Sequence, residues 1–148
     1  MTRRGFFCTA GAAGLSAAVL VGIPGQARAT GIPELIAETM GPGEPANERV
    51  IVDAPPKAEN GSTVRIPVKV DHPMEADNYI AAVAIFVENN PNPLTARFEF
   101  LPAIGAVEFE VRIKMAKASP VRVVAKTNSG KLYQVIKQIE VAEGGCAG

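Results

Sequence analysis

Val107-Glu108-Phe109-Glu110-Val111-Arg112-Ile113-Lys114-Met115 places an apolar residue at every odd position and a charged one at every even position. Side chains switch faces at every residue only in an extended strand, so this stretch predicts a β-strand with one buried and one wet face. The charged set, Glu108, Glu110, Arg112 and Lys114, then reads as a solvated face rather than as paired catalytic carboxylates. Nine residues without a miss fix the period. The rest of the chain can be read against it.

Upstream, Val64, Ile66, Val68 and Val70 alternate with Arg65, Pro67 and Lys69. Proline has no N–H to give to a ladder, which predicts an edge strand or a bulge at Pro67. Tyr79 to Val87 is almost wholly apolar, as expected of a central strand covered on both faces. Asn89-Asn90-Pro91-Asn92-Pro93 reads as a rigid turn, and Leu94 to Leu101 carries Phe98 and Phe100. Arg49 to Asp53 is a short apolar run stopped by Pro55-Pro56, and Asn60-Gly61 marks a turn. Downstream, Val121 to Thr127, the turn Asn128-Ser129-Gly130, and Lys131 to Val141 predict a hairpin. About seven short strands in roughly a hundred residues predict an all-β fold, an immunoglobulin-like antiparallel β-sandwich over residues 49–142. The chain has no Trp and no internal cysteine pair, so the antibody hallmarks are missing. The one helical candidate is Ile32–Met40. Pro33 and Glu34 suit its start, and Leu35, Ile36 and Met40 share a face that must dock on the sheet or on a partner.

The front of the chain reads as a leader. Arg3-Arg4 precedes Phe6-Phe7, residues Cys8 to Ile23 carry no charge, and Ala27-Arg28-Ala29 offers the small residues a signal peptidase needs. The twin arginine points to export of a folded protein into the periplasm. The uncharged run is rich in Gly and Ala and somewhat short for a membrane span. The expected plan is a signal peptide over 1–29, a helix and linker over 30–48, the sandwich, and a C-terminal arm over 143–148. Cleavage removes Arg3, Arg4 and Arg28, leaving twelve of the fifteen basic residues against all fifteen acidic ones, a net charge of about −3. That balance argues against nucleic acid or an anionic membrane surface as partner.

Cleavage also removes Cys8 and leaves Cys146 as the sole cysteine, within Glu143-Gly144-Gly145-Cys146-Ala147-Gly148. An unpaired cysteine in an oxidising compartment is a liability unless it links chains or does chemistry. Gly144, Gly145, Ala147 and Gly148 predict a flexible arm, about 20 Å long when extended at roughly 3.3 Å per residue. The plain alternative is a frayed tail with an incidental thiol. Familiar site chemistries do not assemble. His72 is the only histidine, so neither a blue-copper nor a zinc ligand set exists, and no metal or cofactor is expected. Beside Pro73, His72 reads as a loop residue, with a Cys–His nucleophile pair left open. Glu143 is the charge nearest the thiol in sequence, and negative charge favours the protonated form. Activation would have to come from another protein.

Several stretches resemble one family. They are Ala58-Glu59-Asn60-Gly61-Ser62-Thr63-Val64, His72-Pro73-Met74, Asp77-Asn78-Tyr79-Ile80, Glu88-Asn89-Asn90-Pro91-Asn92-Pro93, Ala96-Arg97-Phe98-Glu99-Phe100 and the Gly-Gly-Cys tail. Together they resemble SoxY, the sulfur-carrier subunit of the bacterial Sox thiosulfate-oxidising system. The family tail usually ends Gly-Gly-Cys-Gly-Gly, and Ala147 departs from it. The resemblance implies a sandwich paired with a SoxZ-like subunit, with the helix near Leu35 or a sheet face as the interface. It implies that Cys146 is the covalent attachment point, visiting a cytochrome, a manganese hydrolase and a sulfane dehydrogenase without catalysing turnover itself. A cross-linking adaptor and a free-standing thiol sulfurtransferase are the rival classes. The leader reading predicts that replacing Arg3 and Arg4 together by Lys leaves an uncleaved, cytoplasmic chain, read by fractionation and intact mass, whereas the parent loses residues 1–29.

Overall fold

The computed structural model describes residues 31–145. Residues 1–30, which include the expected signal peptide over 1–29, and residues 146–148, with Cys146, Ala147 and Gly148, lie outside the described residues. The remainder forms an immunoglobulin-like sandwich of eight strands and one helix: α1 (Ile32–Met40), β1 (Val50–Val52), β2 (Lys57–Asn60), β3 (Val64–Val70), β4 (Ile80–Val87), β5 (Leu94–Glu99), β6 (Val107–Ile113), β7 (Ser119–Thr127) and β8 (Leu132–Glu143). A three-stranded sheet in the order β1-β3-β6 faces a five-stranded sheet in the order β2-β8-β7-β4-β5.

The alternation that defines β6 is used as read. Val107 and Ile113 are buried with Met115 just beyond, Phe109 and Val111 pack against the core, and Glu108, Glu110 and Arg112 are exposed. Arg65 lies opposite Arg112 and its guanidinium forms a bidentate pair with Glu110, while Lys69 pairs with Glu108. With both partners largely exposed, such pairs contribute at most about 1 kcal/mol each. The wet face is structural. Between the sheets, Val64, Ile66, Val68 and Val70 meet Val83, Ile85, Val87, Val121, Val123 and Ile139. Phe98 and Phe100 reach across to Phe109, with ring centroids 4.9 and 5.7 Å apart, and close one side of the sandwich.

β4 is apolar at every position because it is covered twice. Val83, Ile85 and Val87 face the inter-sheet core, and Ala82, Ala84 and Phe86 face the other way, under α1. The helix lays Ile36 and Met40 on that outer face beside Val124 and Leu132, which answers where its apolar stripe docks. The linker follows it onto the sheet: Ala46 N–H donates to Leu132 O and Gln134 N–H to Ala46 O. A polar chain runs alongside, from Glu88 to Arg122, Gln134 and Asn47, with links of 2.8–2.9 Å.

Three expectations are corrected. Pro67 sits in the central strand of the small sheet, with no bulge there. Its carbonyl accepts from Asp53 N–H, so Pro67 faces the β1 side, and β1 has already ended at Val52. The strand is central, and Pro67 opposes Asp53 just past the end of β1, where one bond of the pair is made and the reciprocal donor is missing. Second, Lys57–Asn60 forms a strand that the sequence does not predict, and it pairs with β8 in parallel, whereas the other strand pairs described are antiparallel. Third, β8 runs through Glu143, so the last strand reaches into the segment read as an arm.

One buried side chain ties the end of β6 to the turn after β4. Asn90, only 8% exposed, donates to Lys114 O at 2.8 Å and accepts from Ala116 N–H at 3.0 Å. Asn89 binds the next stretch, its side chain donating to Ala118 O and its N–H to Ser119 Oγ. Asn90→Ala removes two bonds and leaves both backbone groups without their partner. It is expected to cost about 2–3 kcal/mol, read from a lowered urea midpoint, while Asn92→Ala at an exposed position changes stability by less than about 0.5 kcal/mol.

Candidate functional site

The residue expected to carry chemistry, Cys146, is bonded to Gly145, so the site is built from what holds Gly145. β2 pairs with β8 to bring Asn60 opposite Glu143. The turn that follows is fixed within itself, Ser62 N–H donating to Asn60 Oδ1 at 2.8 Å. Gly61 N–H donates to Glu143 O at 2.8 Å, Met115 N–H to Gly61 O at 2.7 Å, and Gly145 N–H to Met115 O at 2.9 Å. Three distant segments, the β2–β3 turn, the exit of β6 and the tail, are thus closed backbone to backbone.

The approach is too close for side chains. A Cβ at Gly145 would stand 2.5 Å from both Gly61 C and Ser62 N, one at Gly61 would strike Met115 O, and one at Gly144 would strike Ala116 O. None of these glycines has a positive φ. They are needed here for space and not for an unusual backbone conformation. Gly144 and Gly145 were read as the supple part of an arm. The structure packs them, just past the end of β8, against the β2–β3 turn and the exit of β6.

The ledge beneath them is rigid. Met115 is fully buried, its N–H and C=O are bound by Gly61 and Gly145, and the flanking Lys114 O and Ala116 N–H are bound by Asn90. Four backbone groups of this ledge, Lys114 O, both groups of Met115 and Ala116 N–H, have partners. Two exposed lysines, Lys114 and Lys117, stand on either side of Met115 and Ala116 in the chain. A recess of about 340 Å³ opens alongside between β2 and β3, lined by Lys57, Glu59, Asn60, Thr63 and Arg65 among others.

His72 is elsewhere. It lies in the loop after β3, half-buried, with Nδ1 2.8 Å from Pro73 O and its ring 6.0 Å from that of Tyr133. Tyr133 is the second residue and Glu143 the last of β8, a strand of 12 residues, so the two lie about 33 Å apart at about 3.3 Å per residue. His72 and Gly145, the last described residue before Cys146, lie toward opposite ends of β8. Among the described residues, no three or more His, Cys, Asp or Glu gather as a metal site requires, and no helix is long and apolar enough to cross a membrane. Gly61, Asn90 and the Met115 backbone were missed as site residues. Asn60-Gly61 and Asn89-Asn90 carry turn signals, and a turn explains such residues without any tertiary partner.

Comparison with known proteins bears on this arrangement. A model of the sulfur oxidation protein SoxY matches residues 36–146, so the match runs to Cys146. No curated protein sequence matched the chain. Among solved structures, the sulfur carrier protein SoxY from Chlorobium limicola f thiosulfatophilum is 29% identical with a TM-score of 0.61, covering 73% of this chain and 93% of that one. A superoxide reductase (neelaredoxin) variant from Ignicoccus hospitalis is 25% identical with a TM-score of 0.57, covering 65% and 82%. A superoxide reductase-like protein from Thermotoga maritima, 23% identical with a TM-score of 0.53, covers 65% and 89% and shares the fold alone. With the family model spanning most of the chain, the chain belongs to the SoxY family of sulfur oxidation proteins.

Proposed function

We propose that the protein is a sulfur carrier of the Sox thiosulfate-oxidising system and that Cys146 is its covalent attachment point. The observation that carries this reading is the family match ending on Cys146, together with a fold that secures the backbone one residue before it. The thiol would be coupled to thiosulfate by loss of one proton and two electrons, the electrons passing to a cytochrome-type partner. The product is a cysteine S-thiosulfonate. Water then cleaves the sulfur–sulfonate bond in a manganese-hydrolase partner, releasing sulfate and leaving a persulfide for a sulfane-dehydrogenase partner. An intermediate that never leaves its carrier stays at high effective concentration while several enzymes act on it.

The chain would not catalyse these steps alone. Glu143 beside the tail disfavours the thiolate, and His72, the one histidine, is at the far end of β8. The described surface offers a place for a SoxZ-like subunit, since exposed Ile136 on β8 and exposed Leu101 and Ile104 after β5 leave apolar surface uncovered. Export by the twin-arginine route would place the folded chain in the periplasm, where such partners act, with residues 1–29 removed. Incubating the mature chain with thiosulfate and the cytochrome-type partner is expected to add sulfur-containing adduct mass on Cys146 alone. Cys146→Ser should gain none, with unchanged stability. A disulfide-linked dimer as the sole product favours a cross-linking adaptor, and turnover by the purified chain without partners favours a thiol enzyme.

A further inference from the structure

The carrier reading treats the sandwich as a holder, and the holder ends later in the chain than the sequence suggests. Glu143 is still strand, and Gly145 still donates a backbone hydrogen bond. Its N–H is held by Met115 O, Met115 is held by Gly61, and Gly61 is held by Glu143, so the contacts return to the tail itself. Asn90 clamps the ledge on either side of Met115. We propose that Gly61 and Asn90 are positioning residues for the carrier thiol, setting the pivot of the tail at Gly145 rather than at Glu143.

The proposal rests on the carrier reading and adds where the thiol is delivered. Consecutive Cα atoms are about 3.8 Å apart, so the Cys146 sulfur lies no more than roughly 7 Å from the Gly145 Cα. While Gly145 stays bonded to Met115, the thiol is presented at the rim made by Asn60–Thr63 and Lys114–Ala118, and a more deeply set reacting centre is reached only when that bond opens. Two fewer free residues also mean less backbone entropy to lose when the thiol enters a partner's site. Gly61 matters here through the Cβ it lacks, which would strike Met115 O and lift the turn from the ledge.

Amide hydrogen exchange on the whole mature chain, followed by NMR with no partner present, tests the pivot. The Gly145 amide is expected to exchange within about tenfold of the Ile139 amide in β8. Exchange of Gly145 at the rate of a free peptide overturns the proposal, and this arm needs no variant to fold. In Gly61→Ala, Gly145 exchange should rise about 100-fold or more while Ile139 is unchanged. The KM of the cytochrome-type partner for the chain should then rise roughly tenfold, with kcat within about twofold. A Gly145 amide that stays protected in Gly61→Ala, or a KM that does not move once it is exposed, overturns the proposal. Failure of any partner to load Cys146 counts against the carrier reading separately, and the exchange rates still decide where the tail is held.

Discussion

At one end of the sandwich, backbone from residues 61, 115 and 145 converges with no room for a side chain between. That contact constrains much of the rest. It requires β2 to lie along β8 in parallel, since only that pairing sets Asn60 against Glu143 and delivers Gly61 to the tail. It requires β6 to stop at a defined point, with Met115 buried as its last inward side chain. It requires a second support for the Lys114–Ala116 backbone, which Asn90 supplies from the turn after β4. Backbone amides buried without partners are costly, so such a junction tolerates little slippage of any of its strands.

The two layers serve this end of the molecule unequally. The inter-sheet core gives a rigid body, filled by β-branched residues that alternate on β3, β6 and β7. The outer face of the larger sheet is closed by α1 and its linker, so Ala82, Ala84 and Phe86 need no partner chain to be covered. Small residues at 82 and 84 let the helix approach, and Phe86, with no exposure, fills the space beneath it. Exposed apolar residues remain at Ile51 on β1, at Ile136 and in the segment after β5. The helix therefore completes this subunit, and the uncovered apolar surface lies beyond it.

Much of the fold was legible because it is written with local periods. The alternation in Val107–Met115 gave β6 its faces, the apolar run to Val87 gave a strand covered on both sides, and Leu35, Ile36 and Met40 gave the docked helix. What escaped depends on partners far away in sequence. Lys57–Asn60 has one buried apolar residue, Ala58, and becomes a strand only because β8 is there to pair with it. Pro67 looked like an edge because the sequence cannot show that β1 stops at Val52. The family match ends on the one cysteine that the sequence singles out, but what holds Gly145 beside it was not legible. Gly61, Gly144 and Gly145 look like freedom in sequence, and Asn90 looks like a turn residue. Only the fold shows that the glycines are there because of neighbours at van der Waals distance or closer.

A carrier must reconcile two demands: its cargo must reach several enzymes, and its tether must not dilute the cargo or cost much entropy at each visit. The proposed hold on Gly145 would meet the second demand and leave the first to partners that reach the rim. The most direct measurement is ¹⁵N backbone relaxation along residues 139–145 of the mature chain. This account predicts order parameters of about 0.85 through Gly145, as in the strand. Values below about 0.6 from Glu143 or Gly144 onward would contradict it, and would return the tail to a long, free arm.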